Sequence, residues 1–262
     1  DVAPAVDHSN QALRDARRAG RDAGPLPATI APRDEAEAAA VQRRLADRAV
    51  IGGFKIGATG ARMQGFLGID HPCAGFMAAR DIHPSGARLP FGAFRAPLVE
   101  CELAVRLGAG LPPGPCTLQA AAAAVGALFA AIEIVENRYG PPPIGDVQRF
   151  GVPTLVADQF YHAAAVIGDP APDWGALDLP ALEGELLIDG TVRNGGRGAE
   201  LLGHPLRGLT WLAASPVAAA FGGLRGGQVV LLGSVIPPLV IPGPCAVRVA
   251  FAGLPPVDLR FL

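Results

Sequence analysis

Glu100 and Glu102 stand two residues apart in the run Leu98-Val99-Glu100-Cys101-Glu102-Leu103-Ala104-Val105. The run reads as a β-strand, and side chains two apart on a strand share a face, so both carboxylates project together. Val99, Cys101 and Leu103 make the opposite face the more apolar one. Ionised carboxylates at that separation repel, and burying them is costly without a cation. Two readings stay open: a solvated strand face, or a pair of oxygen ligands for a hard divalent metal such as Mg2+. A third acid, Glu133, sits between Ile132 and Ile134 in the apolar, strand-like run 131–135, where an unpaired carboxylate is expensive. The three acids converge if their strands are neighbours. Such a set suits Mg2+ or Mn2+ and leaves room for water or a chelating substrate. Glu183 and Glu185 repeat the two-apart spacing, but there an exposed hairpin face is the better reading.

The basic residues point to a fourth group. Of the 22, 21 are arginine and one is lysine, Lys55. A chain that uses arginine wherever a positive charge suffices keeps its one lysine either by chance or for something arginine cannot do, which is to lose a proton. Among the histidines, His71 and His83 each precede a proline and read as surface residues. For His162 and His204 a structural role is the default.

These residues must be positioned by a chain of 262 residues, 50% hydrophobic and 18% charged, with net charge −2. That length supports one large domain or two small ones. The near-neutral charge without a basic cluster argues against a nucleic-acid partner. With 34 glycines and 26 prolines, many turns and short strands are expected rather than a helical bundle. Cys73, Cys101, Cys116 and Cys245 show no paired spacing and read as small core residues in a reducing cytoplasm, not as disulfides or a zinc site. The polar N-terminus offers no apolar signal segment.

Residues 1–50 read as an N-terminal helical cap. A charged stretch spans 14–21, a loop spans 24–32, and a helix spans 33–49 with Asp34 and Glu35 favouring its start. From residue 51 the pattern changes to that of the main domain, which runs to 262. Lys55 lies in a strand at 50–57, and Thr59 is placed to cap a short helix ending at 67. A strand is expected over 76–82, and an alanine-rich helix over 117–129. Residues 140–145 read as a break. Residues 182–192 read as a hairpin turning on Asp189-Gly190, and 195–198 as flexible. A helix is expected over 204–213, and strands over 228–232 and 244–251. The stretch 229–247 carries no charge, but Pro237, Pro238, Pro242 and Pro244 rule out a spanning helix there and favour two core strands around a proline loop.

Several motifs follow one another: Gly53-Phe54-Lys55-Ile56-Gly57, Leu98 through Ala104, Ala131-Ile132-Glu133-Ile134-Val135, Val156-Ala157-Asp158, Gly196 through Leu206 and Trp211-Leu212-Ala213. In this order and spacing, over nearly the whole chain, they resemble the 2-keto-4-pentenoate hydratases and 4-oxalocrotonate decarboxylases of the fumarylacetoacetate hydrolase superfamily. The resemblance implies a mixed α/β (α+β) fold. A rolled, largely antiparallel sheet of the fumarylacetoacetate hydrolase C-terminal type would carry outer helices and the N-terminal helical cap. It implies metal ligands at Glu100, Glu102 and Glu133, Mg2+ (or Mn2+) as cofactor, and a homo-oligomer. It places catalytic residues at Lys55, Asp81 and Asp158, and substrate-binding residues at Gln159, Tyr161, His204 and Ser234. The implied reaction is hydration of a 2-hydroxy-2,4-dienoate to a 4-hydroxy-2-oxo acid through a metal-stabilised enolate. Lys55, with a lowered pKa, would shuttle the proton.

Departures from the family pattern cluster in the pocket. Gln159, Phe160 and Tyr161 follow Asp158 where asparagine and a small polar residue are usual. Leu232 and Ile236 flank Ser234 where hydroxyls are expected, Glu136-Asn137 replaces Asp-Ser, and the expected acid falls on Arg80 unless the register shifts by one to Asp81. Decarboxylation or C–C cleavage of a related 2-oxo acid, in a biosynthetic setting with an altered pocket, is the second reading. A non-catalytic partner subunit is the third.

Overall fold

The structure is a computed structural model that describes residues 2–140 and 144–262, so the expected break at 140–145 lies partly outside the described residues. The chain begins with helices α1 (Val2–Arg18) and α2 (Glu35–Leu45). The side chain of Asp34 caps α2 by accepting from Glu37 N. Then come β1 (Ile51–Gly57), α3 (Ala61–Leu67), β2 (Cys73–Ala78), β3 (Ile82–Pro84), β4 (Ala87–Leu89) and β5 (Pro97–Leu107). Helix α4 (Leu118–Ala124) leads directly into β6 (Val125–Glu136), followed by α5 (Val147–Phe150), α6 (Val152–Ala157) and β7 (His162–Ile167). The hairpin β8 (Glu183–Ile188) and β9 (Thr191–Arg197) precedes α7 (Leu206–Ala214) and α8 (Pro216–Ala220). Strands β10 (Val229–Ser234), β11 (Leu239–Val240), β12 (Ala246–Phe251) and β13 (Val257–Phe261) end the fold.

The strands form two sheets. The larger runs β2-β1-β10-β5-β6-β7-β3, with β11 added beside β5, and the smaller runs β4-β13-β12-β8-β9. Pairing is largely antiparallel, with parallel contacts at β1/β10, β3/β7 and β4/β13. The larger sheet does not close into a barrel. This is the expected mixed α/β architecture.

Both faces of the larger sheet are buried, which explains why its central strands read as near-continuous apolar runs. On one face, Val99, Cys101 and Leu103 of β5 join the main core with the helices. The other face carries Ala104, Phe129, Ala131, Ala165, Ile167, Val229 and Leu231, a separate apolar cluster. By the two-residue period of a strand this second face also carries Glu100 and Glu102 of β5 and Glu133 of β6. The acids therefore crown an apolar interior. Leu13, Ala38, Ala39 and Val41 of the first two helices belong to the main core, and the buried Gln42 bonds Ala74 O, Val156 O and Phe76 N.

Several local expectations are corrected. The alanine run ends as a helix at Ala124, because Val125 onward pairs with β5 from Leu107, and tertiary pairing overrides alanine's helix preference. Thr59 does not cap α3, whose N-cap is Gly60 without a side-chain bond. The strand expected to reach 82 stops at Ala78, and a 3-10 turn, Ala79–Asp81, follows. Gly195 and Gly196 are not flexible but lie in β9, where a Cβ on Gly196 would sit 2.0 Å from Val235 O. The hairpin turn falls on Asp189 and Gly190 as expected, both with positive φ. Among the described residues, no helix is long and apolar enough to cross a membrane.

Candidate metal and active site

Glu100 and Glu133 are direct partners across β5 and β6, and Glu102 follows one pleat on. One carboxylate oxygen from each lies within 4.8 Å of the other two. Glu102 and Glu133 are fully buried and Glu100 is partly exposed, so the solvated-face reading fails and Glu100 marks the side open to solvent. Lys55 reaches the same place from β1. A Cβ on Gly53 would lie 1.7 Å from Val229 O, so only glycine permits β1 to pack beside β10 in the register that sets Lys55 opposite Leu231. Lys55 is 2% exposed; its Nζ donates to Phe160 O at 2.8 Å and sits 3.2 Å from Glu133 Oε1.

The electrostatics follow from this crowding. Burial, then the charge of Glu133, pushes the Glu100 carboxyl up to about 8. Burial and the charges of Glu133 and Glu100 push Glu102 well above the usual range, despite the Gly233 N–H donating to its Oε2 at 2.9 Å. Burial alone would lower the lysine, but Glu133, Glu100 and Glu102 outweigh it and raise Lys55. The expected lowering of Lys55 is thus corrected: three acids around one ammonium favour its charged form.

The arrangement is incompletely satisfied. Glu102 Oε1 and Glu133 Oε2 are buried without a hydrogen-bond partner among the described residues. Buried carboxylate oxygens are costly unless paired or coordinated. Two orphaned oxygens beside a third acid, all hard donors, fit a divalent cation.

His162 was not expected here. Its Nδ1 lies 2.8 Å from Glu133 Oε1. Burial, then the charge of Lys55, pushes the imidazole down to about 3, so the ring is neutral, donates from Nδ1, and leaves Nε2 without a partner among the described residues. No sequence signal marks it, because its partner lies on the neighbouring strand.

The other expected site residues are placed differently. Asp158 is 1% exposed and its carboxylate is fully engaged: Arg17 Nε donates to Oδ1 at 2.8 Å, Arg138 Nε to Oδ2 at 3.0 Å and Tyr139 Oη to Oδ2 at 2.7 Å. Burial raises this carboxyl, but Arg138 and Arg17 outweigh it and hold it below the ordinary range. Gln159 uses both ends of its amide, accepting from Arg17 Nη1 and donating to Phe76 O. Tyr161 Oη donates to Ile144 O. Ser234 lies beside Glu102 in the strand register, but its hydroxyl donates to Ile236 O at 2.7 Å and accepts from Cys101 N. His204 Nδ1 accepts from Leu206 N at the start of α7, with Arg207 and Asp178 as its charged neighbours. Asp81 is partly exposed, 3.7 Å from Arg80 Nε, and close enough to His162 to favour its protonation slightly. The structure therefore gathers Lys55, Glu100, Glu102 and Glu133. It gives Asp158, Gln159, Tyr161, Ser234 and His204 internal bonds. Glu183 is exposed and pairs with Arg197, and Glu185 is exposed.

The turn that follows Asp158 is unusual. Gln159, Phe160 and Tyr161 have φ of 64°, 45° and 68°, three consecutive non-glycine residues in the left-handed region. Each such residue costs about 1–3 kcal/mol unless its surroundings hold it. Gly75 makes room for the turn, since a Cβ there would lie 2.4 Å from Gln159 O. The turn aims the Phe160 carbonyl at Lys55 and lays the Phe160 ring 5.1 Å from Nζ.

The mixed, largely antiparallel sheet architecture is shared with solved proteins of the fumarylacetoacetate hydrolase family, among them one from Yersinia pestis with TM-score 0.61 over 81% of this chain. A fumarylpyruvate hydrolase from Pseudomonas aeruginosa, solved with Mn2+ and pyruvate, shares that fold over 81% of this chain and 90% of its own, with TM-score 0.64 at 18% identity. A 4-oxalocrotonate decarboxylase from Pseudomonas putida G7, solved with magnesium and adipate, matches all of this chain and 97% of its own, with TM-score 0.85 and 26% identity. The 2-keto-4-pentenoate hydratase of Burkholderia vietnamiensis is 32% identical over 87% of each chain. No family model matches the chain. The chain belongs to the family of the 2-keto-4-pentenoate hydratases and 4-oxalocrotonate decarboxylases, and it is an enzyme.

Proposed function

We propose that the chain is a divalent-metal-dependent hydratase that adds water to a 2-hydroxy-2,4-dienoate and yields a 4-hydroxy-2-oxo acid. The observation that carries this is the set of buried, unpaired oxygens on Glu102 and Glu133, beside Glu100 and the only lysine of the chain. Several relatives named 2-keto-4-pentenoate hydratase support the reaction class. Glu100, Glu102 and Glu133 would hold Mg2+ or Mn2+. When bound, the ion supplies Lewis acidity for the negative charge that develops on a 2-oxo acid.

The chain's own groups account for the remainder. Ketonisation of the dienol moves a proton from the C2 hydroxyl to C5, and hydration then places a hydroxyl at C4 and a proton at C3. Lys55 Nζ is the proton carrier. An ammonium has three N–H bonds, and Phe160 O and Glu133 Oε1 account for two, which leaves one for substrate. It enters the reaction charged, gives its proton to C5 and is recharged by the proton that leaves the C2 hydroxyl. The acids that raise Lys55 are those that would hold the cation, so their engagement frees the proton for transfer. Neutral His162 holds Glu133 Oε1 and leaves Oε2 for the ion. Asp81 completes the reading as a second proton carrier near His162. We extend the reading to a homo-oligomer in a reducing cytoplasm, a setting supported by four unpaired cysteines.

The test is turnover of 2-hydroxypenta-2,4-dienoate with Mg2+ present, followed by loss of the conjugated dienol absorbance. The expected product is 4-hydroxy-2-oxopentanoate, and no product with either Mg2+ or Mn2+ overturns the proposal. The whole-chain likeness to a 4-oxalocrotonate decarboxylase favours decarboxylation as the second reading. CO2 release from 4-oxalocrotonate without a hydroxylated product would select it.

A further inference from the structure

We infer that Arg17, on the N-terminal helix α1, is a positioning residue for Lys55, acting through the left-handed turn at Gln159, Phe160 and Tyr161. The inference rests on the proposed role of Lys55 as proton carrier. Lys55 must hold its ammonium at one point beside Glu133, yet its only backbone anchor among the described residues is Phe160 O. That carbonyl points to Nζ because the chain follows three consecutive positive φ values, which L-residues adopt only when held from outside.

Arg17 supplies much of that hold from a distant part of the chain. Its Nε donates to Asp158 Oδ1 at 2.8 Å, its Nη2 to Asp158 O at 3.1 Å and its Nη1 to Gln159 Oε1 at 2.7 Å. One planar guanidinium therefore grips a side chain, a backbone carbonyl and the next side chain at the entry to the turn. Lysine cannot reproduce that geometry. Arg138 holds the same Asp158 from the other side, through Oδ2 and O. Gln159 Nε2 is tied to Phe76 O on β2. Arg138 is buried, whereas the Arg17 side chain is 29% exposed and sits on a helix that packs against α2. Loss of Arg17 is thus the change that loosens the turn with least damage to the core.

The single lysine makes the test direct. Protein labelled with 15N at lysine Nζ gives one side-chain ammonium resonance, from Lys55 alone. In the native chain the inference expects that resonance to be sharp, slow to exchange and shifted by the Phe160 ring, which lies 5.1 Å from Nζ. In Arg17→Gln the inference expects it to shift and broaden through faster exchange with water. Turnover in that variant is expected to fall about ten- to a hundredfold in kcat, as for a small misplacement of a catalytic group. KM should stay within about threefold, and Arg17→Lys should not restore kcat. Gln159→Leu removes the Arg17 Nη1 contact together with the tie to Phe76 O and should move the resonance in the same direction; it carries the test if Arg17→Gln does not fold. An unchanged Lys55 resonance in a folded variant overturns the inference, as does a rise in KM alone. Because the resonance is read without substrate, a shifted signal in a protein that does not turn over the dienoate would leave this inference standing and remove the hydratase reading.

Discussion

Two buried clusters of charge in this protein obey opposite rules. Around Asp158, two arginines and a tyrosine meet both carboxylate oxygens, and the carboxyl is held below its ordinary range. Around Glu133, three acids face one ammonium, two carboxylate oxygens lack a partner among the described residues, and the acids at 100 and 102 are pushed upward. The first cluster is complete within the described chain, and its charge stabilises the fold. The second is strained by its own charges and lacks a cation's worth of positive charge. Satisfied buried charge marks structure, and unsatisfied buried charge marks a place built for something else.

The comparison breaks most visibly under mutation. Asp158→Ala leaves Arg138 buried without its main partner and should cost about 3–5 kcal/mol of stability, read by urea unfolding. Glu102→Gln should do the reverse in the absence of metal. It replaces a carboxyl that folding forces out of its ordinary ionised state, and should stabilise the metal-free protein by about 1–3 kcal/mol at neutral pH while abolishing Mg2+ binding. If both substitutions destabilise the metal-free protein alike, the contrast is wrong.

Lys55→Arg keeps the charge and loses the compact proton carrier. Turnover should fall by about a hundredfold or more, with Mg2+ affinity by calorimetry within a few-fold of the native value.

The contrast also has a pH signature. The Glu100 carboxyl rises from 4.5 unfolded to about 8 folded, so between those values the folded state binds more protons. Its contribution to stability is therefore complete below about pH 4.5 and is lost as pH rises through about 8. Melts of the metal-free protein should fall across that window, and Mg2+ should help most at its alkaline end. Asp158 behaves oppositely: its folded carboxyl is lowered, so its contribution is present above the ordinary carboxylate range and is lost in acid. The smallest effect is expected at Ser234. Its hydroxyl is occupied by Ile236 O, so Ser234→Ala should cost about 1 kcal/mol of stability and leave KM unchanged.

How much of this was legible in the sequence depends on where each partner lies. Glu100 and Glu102 were legible because strand periodicity places them together, and Glu133 because an acid inside an apolar run needs a reason. Lys55 stood out by being the only lysine. Asp158 was placed among the catalytic residues by the resemblance alone, and a matching motif reads the same whether or not an arginine meets the acid. Its partner Arg17 lies 141 residues away on a stretch that showed only charge. His162 was hidden for the same reason, since its bond to Glu133 crosses between strands. The fold class followed from motif order, but the end of the alanine helix at Ala124 did not. Strand pairing with β5 decides it, and no local preference reports that pairing.

The central claim is that the acids on the inner face of the larger sheet are incomplete without a divalent cation. Thermal melting of the native protein and of Glu133→Gln across a Mg2+ titration tests it most directly. The native Tm should climb steadily with the logarithm of Mg2+ concentration, while the variant stays flat. A native Tm indifferent to Mg2+ and Mn2+, or a variant that responds as strongly as the native chain, would contradict it.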